Sequence, residues 1–208
     1  IQLALSVFSA VGVKGLKLHI NSIGCPECRK EYQAKLKNYL AGKLDQLCKT
    51  CVERYDKNPL RILDCKNESC RVIGREAPVM IQNLCDCCRN HFDELKELLN
   101  EMNIGFSINP WLVRGLDYYT KTVFEIVSDD IGAQSTVCGG GRYDGLIGEF
   151  GGQPTPGVGF AMGLERLLMT LENQGIAIPQ PKPPALFIAS IGGAALKKAL
   201  RLVTALRA

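Results

Sequence analysis

The paired spacing of the cysteines constrains this 208-residue chain more than any other feature of its sequence. Nine of its ten cysteines lie between residues 25 and 102, and most come in pairs with two or four residues between the partners. Two thiolates separated by two residues can reach one tetrahedral metal ion, so such pairs are typical of four-thiolate zinc sites. The segments between the pairs are rich in Lys, Glu and Leu, which predicts a helical, cysteine-rich insertion over residues 25–104.

We expect two structural zinc sites in this insertion, with the pairs taken in the order in which they occur along the chain. The predicted ligands of the first site are Cys25, Cys28, Cys48 and Cys51, and those of the second are Cys65, Cys70, Cys85 and Cys88. Cys87 and Cys138 are left over, and His91 offers an alternative ligand beside Cys88. The competing interpretations are buried structural thiols or disulfides, and disulfides are uncommon in cytosolic enzymes.

Charge and hydropathy exclude some classes of protein. The chain has 25 basic and 21 acidic residues, and this net charge of +4 is too small to indicate a polyanionic partner. It contains no apolar run of roughly 18 residues that could span a bilayer, and its first residues lack a signal-peptide pattern. We therefore expect a soluble cytoplasmic protein without a membrane partner. Because it starts at Ile1 inside an apolar periodicity, we also expect the chain to be part of a longer one.

Outside the insertion the pattern predicts an α+β fold in which residues 1–24 and 105–178 share an antiparallel sheet. The predicted strands cover residues 16–20, 106–108, 122–127, 135–138 and 157–162, with a turn at 21–24. The predicted helices cover residues 2–11 and 89–102 and a stripe from Leu164 to Leu171 that Gly175 ends.

A proline-rich segment at residues 179–184 is typical of a stiff linker between domains. Beyond it, the pattern predicts a buried strand over 185–190 and an amphipathic helix over 194–206. Residues 185–208 would then be the start of a second, α/β domain.

Three short blocks carry residue types suited to binding a nucleotide and a small polar ligand. They are Leu112–Thr120, with Arg114, Tyr118 and Tyr119, then Cys138–Leu146, with three glycines and Tyr143, then Gly157–Leu167, with Arg166. The glycines predict that the backbone approaches a ligand or another strand closely. An arginine in the first turn of a helix suits a polyphosphate, and tyrosines offer aromatic walls and hydroxyl groups.

The order and the amino-acid sequences of these blocks resemble those of histidyl-tRNA synthetases, which are class II aminoacyl-tRNA synthetases. The first block resembles the histidine-specific signature, the second the glycine-rich stretch lining the histidine pocket, and the third class II motif 3. The similarity continues upstream at 21–24 and 58–64, so it covers nearly the whole chain. It implies the antiparallel-sheet catalytic domain of that class, with a helical insertion and the first strand and helix of the anticodon-binding domain.

The resemblance implies that histidine is activated by ATP, supplied with Mg, to histidyl-adenylate and then transferred to tRNA(His) by a homodimeric enzyme. Arg114 would be the catalytic residue that binds the α-phosphate, and Arg166 would hold the γ-phosphate. Tyr118, Tyr119 and Tyr143 would line the histidine site. Many family members resemble the insertion without its cysteines, so zinc would be structural.

The family pattern begins before Ile1. Motif 1, which builds the dimer interface, motif 2 and most of the anticodon-binding domain have no counterpart here, so we expect the chain to be inactive alone. One alternative is a synthetase-like regulatory subunit of ATP phosphoribosyltransferase, against which the block from Arg114 to Tyr119 argues. Another is a zinc-dependent nucleic-acid module, which predicts a basic face with interleaved aromatics, whereas residues 25–102 mix both charges.

Overall fold

The computed structural model describes residues 1–179 and 183–207, and the chain forms two units, residues 1–176 and residues 177–208. The first unit contains a five-stranded sheet in the order β2-β1-β3-β4-β5. Its strands are β1 Lys17–Gly24, β2 Ser107–Ile108, β3 Thr120–Val127, β4 Thr136–Arg142 and β5 Val158–Met162. All neighbouring pairs are antiparallel except β1 and β2, which confirms the predicted α+β class and mostly antiparallel sheet.

Strand β2 is parallel to β1, which differs from the purely antiparallel arrangement that was predicted. Parallel neighbours need a long crossover connection, and here the whole insertion lies between the two strands. The cysteine-rich segment therefore supplies the connection that lets the chain return to the same end of the sheet.

Two strands are longer than their sequence patterns predicted. The predicted turn at 21–24 is the end of β1, where the fully buried Asn21 donates hydrogen bonds from Nδ2 to the carbonyl oxygens of Leu112 (2.9 Å) and Pro110 (3.2 Å). These bonds satisfy both donors of the buried amide group, which lets a polar residue continue the strand, although its Oδ1 has no partner among the described residues. β4 likewise continues through its glycines to Arg142 instead of ending at Cys138.

Helices lie outside the insertion as well as within it. Outside the insertion lie α1 Gln2–Ala10, which buries Ala4 and Phe8, and, later in the chain, α6 Leu146–Glu149 and α7 Leu164–Asn173. Gly175 follows α7 with φ +66°, the left-handed conformation that commonly ends a helix, as its position predicted.

The insertion contains four helices around a core of its own. They are α2 Pro26–Ala41, α3 Lys49–Lys57, α4 Glu68–Glu76 and α5 Asp86–Glu101, the last beginning three residues before the predicted start. Tyr32, Leu36 and Leu40 follow one another at four-residue intervals on α2 and are fully buried. Val113, from the first of the three blocks, belongs to the same core. The insertion is therefore packed against the segment that carries Arg114.

The second unit contains helix α8, Gly193–Arg207, close to the predicted helix. The predicted strand at 185–190 is wrong, because these residues form no regular structure and Phe187 is 83% exposed. A strand requires a neighbour for its backbone hydrogen bonds, and the described residues of this unit contain none. Of the predicted linker, residues 180–182 lie outside the described part of the chain.

Within the described ranges, each helix is too short or too polar to pass through a lipid bilayer.

Candidate functional site

One face of the sheet is almost free of side chains where β4 and β5 meet. Gly139 is paired with Glu125 on β3 and with Ala161 on β5, and Gly141 is paired with Gly159. Side chains alternate between the two faces of a strand, so Gly139 and Gly141 open the same face on which Glu125 lies. With Gly157 and Gly159, these two residues form a flat surface that we call the glycine floor.

Side chains from the predicted site rest directly on this floor. A Cβ atom at Gly139 would lie 2.6 Å from the guanidinium of Arg114, and one at Gly141 would lie 2.8 Å from the ring of Tyr119. A Cβ at Gly157 would come within 2.5 Å of the ring of Tyr143. The glycines are therefore needed because Arg114 and two tyrosines approach the backbone too closely for any side chain to fit between.

The three predicted tyrosines come together above the floor. The ring centroids of Tyr118 and Tyr119 are 4.7 Å apart, and Tyr143 is 5.8 Å from the first and 6.2 Å from the second. These separations suit tilted and edge-to-face aromatic contacts. Burial raises the pKa of Tyr119, and the neighbouring Tyr118 hydroxyl raises it further by a smaller amount. The cluster offers an aromatic wall that carries hydroxyl groups.

The two predicted arginines are linked through Glu125 and Thr136. Arg114 Nη1 lies 2.5 Å from Glu125 Oε1, and the hydroxyl of Thr136 donates to Glu125 Oε2 at 3.3 Å. Arg166, in the first turn of α7, donates from Nη1 to the carbonyl oxygen of Thr136 at 2.5 Å. Burial raises the pKa of Glu125, and the charge of Arg114 opposes that rise. The structure thus brings Arg114 and Arg166 into one network at the floor.

A basic cavity of about 250 Å³ lies beside Arg114. Its lining includes three further cationic side chains from the insertion, namely Arg29, Lys57 and Arg61. Sequence reasoning did not identify these residues. The available signal for Arg29 was its position immediately after Cys28, where a metal ligand would fix the start of a helix.

The eight predicted cysteines form two groups, but the predicted grouping is wrong. The sulfur atoms within each group lie within 4.8 Å of one another. One group lies where the insertion leaves β1 and where α5 leads back to the sheet, and we call it the neck cluster. The other group lies within the insertion, and we call it the internal cluster. The neck cluster is Cys25, Cys28, Cys85 and Cys88, and the internal cluster is Cys48, Cys51, Cys65 and Cys70.

The physical reason for the different grouping is the nesting of the helices. Cys25 and Cys85 precede the first residues of α2 and α5, and the two helix starts meet at the neck of the insertion. Cys48 precedes α3 and meets α4 inside the insertion. The first pair therefore combines with the last, and the second pair with the third.

The sulfur spacing fits a single metal ion in each cluster. Cys25 Sγ lies 3.5 Å from Cys28 Sγ and 4.0 Å from Cys85 Sγ, and Cys48 Sγ lies 3.9 Å from Cys65 Sγ. Four thiolates about 2.3 Å from a tetrahedral zinc ion are about 3.8 Å from one another. All ten cysteines are free, so the disulfide interpretation finds no support.

Backbone amides donate hydrogen bonds to sulfur atoms in both clusters. The backbone N–H of Cys85 donates to Cys28 Sγ at 3.1 Å, and that of Cys48 donates to Cys70 Sγ at 3.2 Å. Backbone hydrogen bonds in the first turn of the following helix lower the pKa of Cys48 and Cys85 to about 7. Burial instead raises the pKa of Cys25 to about 11, so that thiol requires a metal ion to lose its proton near neutral pH.

The remaining candidate ligands lie outside the clusters. His91 Nε2 is 3.2 Å from the hydroxyl of Thr122 on β3, so the predicted alternative ligand faces the sheet instead. Cys87 is exposed, and Cys138 is buried in β4, where burial raises its pKa to about 11.

Comparison with known proteins gives consistent results. A sequence model of the family described as histidyl-tRNA synthetase matches residues 1–167. The histidine–tRNA ligase of Acetivibrio thermocellus is 59% identical over 96% of this chain and 48% of its own length. That of Caldanaerobacter subterraneus subsp. tengcongensis is 57% identical over 100% of this chain and 50% of its own length.

A solved structure is also similar. The crystal structure of apo S. aureus histidyl-tRNA synthetase is 33% identical, with a TM-score of 0.69, over 99% of this chain and 50% of that one. The chain therefore spans about half the length of the relatives it matches.

Proposed function

Since the chain belongs to the histidyl-tRNA synthetase family, we propose that it forms the part of a histidine–tRNA ligase that holds histidine and the phosphates of ATP. The full-length protein would activate histidine to histidyl-adenylate and transfer it to tRNA(His). One observation carries this proposal, namely the shared position of Arg114, Tyr119 and Tyr143 on the glycine floor. A fixed guanidinium beside an aromatic hollow suits an amino acid joined to a phosphate.

The proposed first step is attack on the α-phosphorus of ATP by a carboxylate oxygen of histidine, which is already ionised near neutral pH. The bond from the α-phosphorus to the bridging oxygen breaks, and pyrophosphate leaves with its Mg ion. Arg114 offsets the negative charge that develops on the α-phosphate oxygens. Glu125 holds the guanidinium in place beforehand, which reduces the reorganisation needed during the reaction.

Arg166 would bind the γ-phosphate from the first turn of α7. The partial positive charge at a helix start adds to that of the guanidinium, and both attract a polyphosphate. A chain of hydrogen bonds through Thr136 and Glu125 links Arg166 to Arg114. This link supports the assignment, because it holds both arginines where they would bind two parts of one ligand.

The tyrosines would recognise the amino acid. Tyr118, Tyr119 and Tyr143 supply hydroxyl groups beside the aromatic wall, and a buried hydroxyl left unpaired by the wrong ligand discriminates strongly against it. Histidine can satisfy such groups through its imidazole nitrogens and its ammonium group.

We also propose that each cysteine cluster binds one structural zinc ion. The sulfur spacing, the backbone N–H donors and the burial of Cys28, Cys51, Cys70 and Cys88 support this. Metal analysis of the purified full-length protein should give about two zinc ions per chain. Fewer than about 0.2 zinc per chain, with all thiols reacting freely, would contradict the proposal.

The full-length protein would act in the cytoplasm as a homodimer, as the family resemblance implies. Sedimentation equilibrium at micromolar concentration tests the dimer, and a mass equal to that of one chain would oppose it.

Exchange of labelled pyrophosphate into ATP, with histidine present, tests the activity. In the full-length protein, Arg114→Ala should lower the exchange rate by about 100-fold to 1,000-fold, as for the loss of one preorganised donor. Lys17→Ala is the control, because it removes a cation from an exposed ion pair with Asp129. If the unmodified protein shows no exchange that depends on histidine, the proposal is refuted and the regulatory-subunit alternative is favoured.

A further inference from the structure

Arg29 connects the neck cluster by hydrogen bonds with the first of the three blocks, Leu112–Thr120, which we call the histidine-specific block. Arg29 follows the ligand Cys28 on α2 and donates from Nη1 to the carbonyl oxygen of Asp117 at 3.1 Å. Its Nη2 donates to the carbonyl oxygen of Tyr119 at 2.8 Å. The two acceptors flank Tyr118, so one guanidinium fixes the backbone on both sides of that tyrosine.

The position of Arg29 depends on the cluster. Helix α2 starts directly after Cys25, and Cys28 lies in its first turn, so a metal ion held by both residues fixes the first turn in place. The end of β1 is equally confined, because a Cβ atom at Gly24 would lie 2.8 Å from Cys28 Cβ. A metal ion in the neck cluster would therefore tie Arg29 to the sheet itself.

The internal cluster has a weaker connection to the same block. Asn58, at the end of α3, donates from Nδ2 to the exposed carboxylate of Asp117 at 2.5 Å. It lies seven residues from the nearest cysteines of the cluster, Cys51 and Cys65, and contacts a side chain instead of the backbone. Movement in the internal cluster would reach Tyr118 less directly, through this flexible side chain and through the packing of Val113 in the core of the insertion.

We propose that zinc in the neck cluster sets the affinity for histidine by holding Arg29 against the carbonyl groups of Asp117 and Tyr119. Arg29 is thus a positioning residue, and the internal cluster stabilises the insertion without this role. The proposal rests on the function proposed above, because it assumes that Tyr118 and Tyr119 line the histidine site.

The experiment compares matched variants of the full-length protein. One double variant, Cys25→Ser with Cys85→Ser, removes one thiol from each pair of the neck cluster, and Cys48→Ser with Cys65→Ser does the same to the internal cluster. Arg29→Ala and Arg29→Lys leave every thiol in place. Zinc content, histidine binding by calorimetry, and kcat and KM for histidine in pyrophosphate exchange are measured for each.

We expect each double variant to lose one zinc ion, but the neck variant alone to raise the KM and Kd for histidine, by about tenfold. Arg29→Ala should keep both zinc ions and raise KM similarly, with kcat changed less than about twofold, because two charge-assisted hydrogen bonds are lost. Arg29→Lys should give an intermediate KM, since an ammonium group can keep one of the two bonds.

Two results would overturn the inference: an unchanged histidine KM in Arg29→Ala with both zinc ions present, or equal effects of the two double variants on KM. Either result leaves the proposed function intact as long as the unmodified protein shows histidine-dependent exchange. If the unmodified protein lacks that exchange, the proposed function itself fails.

Discussion

The neck cluster and the internal cluster each contain four cysteines with similar sulfur spacing, but their surroundings differ. The neck cluster joins the end of β1 to the starts of α2 and α5, so it connects the insertion to the sheet. The internal cluster joins α3 to α4 within the insertion. Two equal sets of cysteines therefore connect different parts of the fold.

The comparison also separates two kinds of support for the candidate site. The glycine floor contacts the side chain of Arg114 directly, whereas the neck cluster is connected with the backbone around Tyr118 through the hydrogen bonds of Arg29. The first should affect the chemical step and the second the binding of the amino acid.

Removal of zinc should have the largest effect and tests whether the clusters are structural. Chelation in the full-length protein should melt the insertion helices, because structural zinc commonly contributes about 10 kcal/mol or more to folding at neutral pH. Far-UV circular dichroism and metal analysis along a chelator titration would follow the two clusters, and added zinc should restore the signal.

The control for this titration is Cys87→Ser, which removes an exposed thiol outside both clusters and should leave zinc content unchanged. An unchanged helical signal after complete zinc loss would show that the clusters do not hold the insertion together, and the distinction between them would lose its basis.

Gly139→Ala should have the next largest effect and sharpens the contrast between floor and neck. The added methyl group would lie 2.6 Å from the guanidinium of Arg114, which must then move away from Glu125. We expect kcat for pyrophosphate exchange in the full-length protein to fall by about 100-fold, with both zinc ions retained.

Gly148→Ala is the matched control, because an added Cβ there meets no atom within 4 Å. A Gly139→Ala protein with a normal kcat, or one that changes only KM for histidine, would remove the distinction between the two kinds of support.

Asn58→Ala should have the smallest effect and tests the isolation of the internal cluster. It removes one exposed hydrogen bond to Asp117, for which about 0.5 kcal/mol is typical, so KM for histidine should rise by no more than about twofold. Steady-state exchange measured beside Arg29→Ala gives the comparison. An increase as large as that in Arg29→Ala would mean that both clusters act on the histidine-specific block.

The sequence predicted the types of structure better than their long-range partners. Eight cysteines were identified as candidate ligands, but their spacing could not show how the pairs combine, because three of the four pairs have the same local pattern. The combination depends on which helix starts meet in space. That contact joins residues that are 60 positions apart, such as Cys25 and Cys85, and the local sequence pattern around either residue does not predict it.

The same limit explains the errors in the strands. Asn21 was assigned to a turn, whereas its amide nitrogen donates to carbonyl groups about ninety positions later in the chain. The strand predicted at 185–190 has the right composition but lacks a neighbour among the described residues. The role of Arg29 was also missed, since an arginine on a helix usually lies in a solvated face.

The nesting of the clusters sets the order in which the metal ligands become available during synthesis. A nascent chain leaves the ribosome from its N-terminus, so the first four of these eight thiols to emerge are those of the combination that spacing predicted, and not those of either native cluster. The internal cluster is complete once Cys70 emerges, and its loop from Cys48 to Cys65 spans 17 positions against 60 from Cys25 to Cys85. The shorter loop costs less entropy to close. The internal cluster should therefore assemble before the neck cluster, whose last sulfur atom, that of Cys88, emerges 18 residues after Cys70.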